Sequence, residues 1–119
     1  MRLLLILAAF IAAGPTAFAA DANRGAELYE ARCEGCHSLD ANRVGPKHRG
    51  VFGRKVGSVP DFGYSNAVRN SPVIWDETTL DRWLTNPQAF IAGARMGFRV
   101  SEAVDRADLI AYLRRESGK

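Results

Sequence analysis

The sequence predicts an all-α domain in which helices at the two ends enclose a long irregular middle. Apolar residues recur at helical spacing near both ends of residues 20–119, and no run shows the alternation typical of a β-strand. Residues 38–72 are dense in Gly, Pro, Asn and Ser, the residues of turns and loops. A polar stretch of that length is unusual in a small domain, so we expect something outside the polypeptide to organise it.

Residues 1–19 have the layout of a secretory signal peptide. Arg2 provides a charged start, residues 3–13 form an apolar run, and Ala-Phe-Ala precedes residue 20 as a cleavage pattern. We therefore expect export, cleavage, and one domain over residues 20–119. The alternative is an uncleaved anchor, although the apolar run is shorter than the ~20 residues that span a bilayer.

Residues 22–36 and 105–115 are the predicted terminal helices, with Asp21 as a suitable N-cap of the first. Gly25 lies on the apolar face of that helix, where a glycine costs about 1 kcal/mol relative to alanine. Its presence predicts that another backbone crosses close by, and the C-terminal helix is the expected partner. The alternative is that each helix packs on the core independently.

Two shorter helices are predicted at residues 65–70 and 77–85. The second carries apolar residues at spacings of three and four, and it is expected to stop before Asn86-Pro87 because the residue before a proline disfavours helix.

Residues 33–37 read Cys-Glu-Gly-Cys-His, the spacing at which a c-type haem is attached. Residues three apart share a helical face, so the sulfurs of Cys33 and Cys36 can reach two vinyl groups of one porphyrin. His37 would then place its imidazole under the iron. If the iron takes a thioether as its sixth ligand, Met96 must supply it, because it is the one methionine besides the initiator. The apolar faces of a haem would supply the core that the loops lack.

Two other readings of the cysteine pair fit the sequence less well. A dithiol redox pair would be expected among the strand runs of a βαβ unit, which the sequence does not show. A zinc site would need His48 as its fourth ligand, and the neighbours Cys36 and His37 would compete for adjacent corners.

In order and spacing, the chain resembles the monohaem cytochromes c of the mitochondrial type and their exported bacterial relatives, the class I c-type cytochromes. The matching positions are Gly25, residues 33–37, Gly45-Pro46, residues 50–55, Tyr64, Trp75, Asn86-Pro87, residues 96–98 and residues 108–113. The resemblance implies the small cytochrome c fold, with crossing terminal helices and long loops wrapped around one covalent haem c.

The resemblance also implies roles for individual residues. His37 and Met96 would bind the iron, and the Pro46 carbonyl would accept a hydrogen bond from the second imidazole nitrogen. The other implied haem contacts are Arg54, Tyr64, Trp75, Trp83 and Phe98. Of these, Arg54, Tyr64 and Trp75 would serve the haem propionates. The alternatives are that Trp75 and Trp83 are ordinary core aromatics, that Tyr64 is a loop aromatic and that Arg54 is a solvated charge.

Several positions depart from the family pattern and leave the reduction potential open. Trp83 and Ala94 replace a tyrosine and a threonine that hydrogen bond near the iron. His48 replaces an apolar residue, commonly leucine, and is the alternative candidate for the sixth ligand. Val68 replaces an asparagine that orders an internal water, and Gln88-Ala89 replaces two docking lysines.

Filled axial positions favour a periplasmic electron carrier over an enzyme. The resemblance implies a quinol:cytochrome c oxidoreductase or dehydrogenase as donor, and an oxidase, a photosynthetic reaction centre or a peroxidase as acceptor. The alternatives are a haem relay subunit of a larger oxidoreductase and a haem enzyme with a displaceable Met96.

The formal net charge is +3, or +2 without Arg2, which argues against nucleic acid as a partner. We expect a monomer with no stable membrane insertion after cleavage. The candidates for a basic rim around the haem edge are Arg32, Arg43, Arg95 and Arg99.

Overall fold

The computed structural model describes residues 9–10, 12–14 and 18–119. It contains five helices in these ranges: α1 Ala22–Arg32, α2 Asn66–Arg69, α3 Glu77–Thr85, α4 Pro87–Phe90 and α5 Ala103–Arg115. A single antiparallel bridge joins Lys55 and Ile74, and the described residues form no strand. The all-α prediction is confirmed. None of the described helices has the length and apolar character needed to cross a bilayer. The predicted signal peptide, residues 1–19, lies mostly outside the described residues, so its cleavage stays a prediction.

Helices α1 and α5 cross at Gly25, as predicted. A Cβ built on Gly25 would lie 1.9 Å from the backbone oxygen of Asp108 and 2.8 Å from the Cβ of Tyr112. The two backbones therefore touch without a side chain between them, and independent packing of the terminal helices is excluded. Helix α5 begins at Ala103, two residues before the predicted start, and its Leu109 is 1% exposed.

Helix α1 was predicted to reach Cys36, but it ends at Arg32. The Asp21 side chain caps its start by accepting from two backbone N–H groups. At its end the carbonyl of Tyr29 accepts from both Cys33 N at 2.8 Å and Glu34 N at 3.2 Å. Glu34 N thus bonds five residues back, and the regular i to i−4 pattern of the helix ends there. Residues 33–36 continue as turns. The spacing of apolar residues gives no information about this change in hydrogen bonding, so the predicted helix was longer than the observed one.

The middle of the chain agrees with the predicted short helices. Helix α3 has the predicted bounds, with a reciprocal cap between Asp76 and Thr79 at its start. Helix α2 is one residue shorter than predicted at each end because Ser65 and Asn70 are its caps. The single turn α4, which was not predicted, begins at Pro87.

Charged side chains join the terminal helices beside the crossing. Arg24 on α1 pairs with Asp105 at 2.5 Å and with Asp108 at 2.7 Å on α5, and Arg32 pairs with Asp105 at 3.0 Å. The backbone N–H of Asp21 donates to Asp108 Oδ1 at 2.7 Å. Both carboxylates are buried, which their partners make tolerable. This cluster holds the N-terminal helix, and thus the residues that follow it, at a fixed place on α5.

Candidate functional site

A cavity of about 460 Å³ opens between α1, α3, α5 and the long loops. Its volume is within the range of sites for small molecules and cofactors. All ten residues that the sequence analysis assigned to the haem or its iron line it: Cys33, Cys36, His37, Pro46, Arg54, Tyr64, Trp75, Trp83, Met96 and Phe98. Side chains from across the sequence therefore converge on one space.

The two cysteines lie in the turns that follow α1. The N–H groups of Cys36 and His37 both donate to the carbonyl of Cys33, at 3.1 and 2.8 Å, which brings the three side chains to one wall. The two cysteines do not form a disulfide with each other. Burial raises the pKa of the Cys33 thiol to about 11. Dithiol oxidoreductases work with a lowered thiol pKa, so this environment does not favour that chemistry.

His37 presents a defined tautomer to the cavity. Its Nδ1 lies 2.9 Å from the carbonyl oxygen of Pro46. A carbonyl can only accept, so Nδ1 carries the proton and Nε2 keeps a lone pair for a metal. Burial lowers the pKa of His37, which favours the neutral form that binds metals. A Cβ on Gly45 would lie 2.1 Å from the His37 ring, so a glycine there is required for this ring position.

Met96 is held on a loop that hydrogen bonds at several points to the rest of the domain. Val100 N donates to Leu84 O at 2.8 Å, which ties the loop to α3. Next to Met96, the Arg95 guanidinium donates to Gly63 O at 2.9 Å across the cavity mouth. The thioether is half-buried and lines the cavity. A soft sulfur ligand is therefore available in the same cavity as His37.

Arg54 places a cation at the cavity wall. Its guanidinium donates to Lys47 O at 3.0 Å and to Arg49 O at 3.2 Å, and burial lowers its pKa. Among the described residues no carboxylate pairs with it. A partly buried cation without an acidic partner fits an anionic group of a ligand.

Three aromatic side chains continue the wall. The hydroxyl of Tyr64 accepts from Val59 N at 3.1 Å, which leaves its own proton to donate. Trp75 is buried and packs edge-to-face on Trp83, with ring centroids 5.4 Å apart. Phe98, by contrast, is 47% exposed although it lines the cavity. The cavity is thus closed on the tryptophan side and edged with apolar surface at Phe98.

His48 lies beside His37 and not across from it. The two imidazole rings are stacked, with centroids 4.0 Å apart and planes at 19°. Two stacked rings that lie on the same side of a metal ion cannot bind it from opposite sides, so this arrangement counts against His48 as the sixth ligand. Burial lowers the pKa of His48 well below its ordinary value. In the described residues no group of three or more His, Cys, Asp or Glu is arranged to hold a metal ion, which counts against the zinc reading.

Sequence reasoning missed several parts of the site. It did not find the stack of His48 on His37 or the hydrogen bond between Tyr29 and His48, because both join residues that are not neighbours in the sequence. Other lining residues carried no signal beyond being apolar or small, among them Val44, Val51, Gly57, Leu80 and Leu84.

The donor set fits a covalently attached haem. The cavity offers two thiols on one wall, an imidazole with a free Nε2, a thioether, and a guanidinium that has no carboxylate partner among the described residues. Its remaining walls are mostly apolar. Fold and site together define a class I monohaem c-type cytochrome.

Comparisons with known proteins agree with this assignment to the c-type cytochromes. The profile of the cytochrome c family, described as "Cytochrome c", matches residues 22–116. The chain is 40% identical to cytochrome c of Euglena viridis over 97 residues, covering 79% of this chain and 95% of that protein. It is 36% identical to cytochrome c2 of Rhodomicrobium vannielii, covering 100% of this chain and 98% of that protein. The structure of cytochrome cH from Methylobacterium extorquens superposes with a TM-score of 0.76 at 34% identity, covering 80% of this chain and 98% of that one.

The chain belongs to the cytochrome c family. Its cofactor is haem c, bound covalently and containing iron, and the family is one of electron carriers.

Proposed function

We propose that this chain is an exported periplasmic electron carrier in which Cys33 and Cys36 attach the haem while His37 and Met96 bind its iron. The observation that carries the proposal is the convergence of these four side chains on one cavity in which His37 keeps Nε2 unprotonated. When bound, haem c supplies a one-electron couple between ferric and ferrous iron.

The residues of the chain set the conditions for that couple. The Pro46 carbonyl holds the proton on Nδ1 of His37 and fixes the ring orientation. A thioether from Met96 favours the ferrous state relative to a second imidazole. Filling both axial positions leaves no place for a substrate, so we expect electron transfer without catalysis.

The polar wall would hold the propionates. Arg54 offers a positive charge, and Tyr64 has a hydroxyl proton to donate. Trp75 offers an indole N–H, a donor that carries no charge. These contacts would make buried carboxylates tolerable, because each could receive charge-assisted hydrogen bonds. Trp83 would pack beside the ring, and Phe98 would cover its exposed edge.

Redox partners would meet the protein at the edge formed by Phe98 and Val44, which are 47% and 77% exposed. Of the candidate rim arginines, Arg32 is paired with Asp105, so its charge is largely offset. The Arg95 guanidinium binds a carbonyl and keeps its charge. We propose an oxidoreductase or dehydrogenase as donor and an oxidase, reaction centre or peroxidase as acceptor.

Covalent attachment is tested by denaturing the purified protein and extracting it with acidified acetone. Haem should stay with the polypeptide of the wild type and of a Ser38→Ala control, and it should be released from a Cys33→Ala/Cys36→Ala variant. Free extraction from the wild type would overturn the attachment. N-terminal sequencing of the exported protein tests whether it begins at Ala20.

A further inference from the structure

A tyrosine and a histidine form a polar pair against the ring of His37. The hydroxyl of Tyr29 lies 2.9 Å from Nδ1 of His48. The His48 ring is in turn stacked on the His37 ring, with ring centroids 4.0 Å apart. Three rings thus form a continuous chain from the middle of α1 to the residue that binds the metal.

The pair has a rigid base. Tyr29 is 1% exposed and contacts Tyr112 of α5, with ring centroids 5.2 Å apart. Its hydroxyl is therefore held by the crossing of α1 and α5. The buried Tyr29 hydroxyl needs a hydrogen-bond partner, and Nδ1 of the partly buried His48 supplies it, so the hydrogen bond favours one orientation of the His48 ring.

The stack restricts a motion that the Pro46 hydrogen bond leaves open. One hydrogen bond at Nδ1 defines a point on the His37 ring but still allows the ring to tilt about it. A parallel ring 4.0 Å away, at 19°, opposes such a tilt because tilting would bring the ring atoms into contact. The His48 ring therefore limits tilting at one face of the His37 ring, whereas the Pro46 hydrogen bond acts at the ring edge.

We propose that His48, oriented by the Tyr29 hydroxyl, is a positioning residue that holds the plane of the His37 imidazole and protects its hydrogen bond to Pro46. The proposal rests on the proposed function, in which His37 is an iron ligand. It concerns how that ligand is held and not whether it binds.

The test is the solvent exchange rate of the His37 Nδ1 proton, measured by NMR on the ferrous, nitrogen-labelled holoprotein. In His48→Leu, which fills the space without a stacking ring, we expect exchange to be about tenfold faster, equivalent to ~1.4 kcal/mol. Tyr29→Phe and His48→Phe each lose the hydrogen bond but keep a ring, and their rates should fall between those of the wild type and His48→Leu.

Ile110→Ala is the matched control, because Ile110 is buried in α5 but does not line the cavity. It should lower global stability and leave the exchange rate unchanged under native conditions. In the oxidised protein, the pattern of haem methyl shifts, which reports the orientation of the axial ligands, should change in His48→Leu and not in Ile110→Ala.

An unchanged exchange rate in His48→Leu, or equal acceleration in Ile110→Ala, would overturn the positioning role. Failure of the proposed function is distinguishable, because the wild type would then lack the low-spin spectrum of a six-coordinate haem.

Discussion

The backbone oxygen of Asp108 lies where Gly25 leaves room for it, 1.9 Å from the position of a Cβ on that glycine. A side chain there would meet backbone on a helix that is itself packed in the core, so neither helix can move away cheaply. The contact thereby sets how closely α1 approaches α5 and where the haem-binding turn begins.

We expect Gly25→Val to destabilise the fold by roughly 1 to 3 kcal/mol or more through overpacking, with the haem spectrum unchanged in the folded protein. Denaturant titration measures the free energy of unfolding. Gly35→Ala is the control, because a Cβ on Gly35 would meet nothing within 4 Å. Equal stability of Gly25→Val and the wild type would contradict the close crossing.

The carboxylate of Asp105 should make stability fall in acid. Its hydrogen bond and ion pair with Arg24 lower its pKa in the folded state, so the stabilisation is fully present above the unfolded pKa of about 3.9 and is lost as the pH falls through the folded value. Arg24→Gln should flatten the dependence of the unfolding midpoint on pH below about pH 5. In the control Arg69→Gln, where the guanidinium contacts only the Tyr64 carbonyl among the described residues, the slope should match that of the wild type.

Replacing the Met96 thioether should leave the sixth coordination position of the haem iron without a protein ligand. In Met96→Ala we expect loss of the weak near-red sulfur-to-iron charge-transfer band, a lower reduction potential and binding of carbon monoxide by the ferrous protein. Arg99→Gln lies three residues away, keeps the sulfur and should retain the band. A wild-type spectrum in Met96→Ala would show that another group is the sixth ligand, and carbon monoxide binding by the wild type would favour the enzyme alternative.

Docking to an acidic acceptor should weaken with salt. Arg95 and Arg99 flank Met96, and their charges are screened over a Debye length of about 8 Å at physiological ionic strength. Stopped-flow electron transfer should slow as salt rises in the wild type and should depend less on salt in Arg95→Gln/Arg99→Gln. Because Gln88 and Ala89 add no positive charge, the wild-type dependence should be shallower than that of lysine-rich relatives. Arg82→Gln, outside the haem cavity, should behave as wild type, and flat, identical curves would favour an apolar contact through Phe98 instead.

Local sequence determined the parts of this protein that depend on neighbours in the chain. The Cys-X-X-Cys-His turn, the bounds of α3 and its stop before Pro87 follow from spacing within a few residues. The single methionine after the initiator made Met96 the one candidate thioether. Gly25 also indicated a close contact, because a glycine in a helix interior destabilises the helix and is expected where another backbone packs closely.

Tertiary structure decided whatever joins residues far apart. Arg24 meets Asp105 and Asp108 only because α1 lies across α5, and no local pattern distinguishes those charges from solvated ones. His48 resembled a possible metal ligand in the sequence, yet the fold stacks it on His37. The physical reason is that spacing fixes which face of a helix or turn a side chain occupies, whereas the partner on that face is selected by the packing of the whole chain.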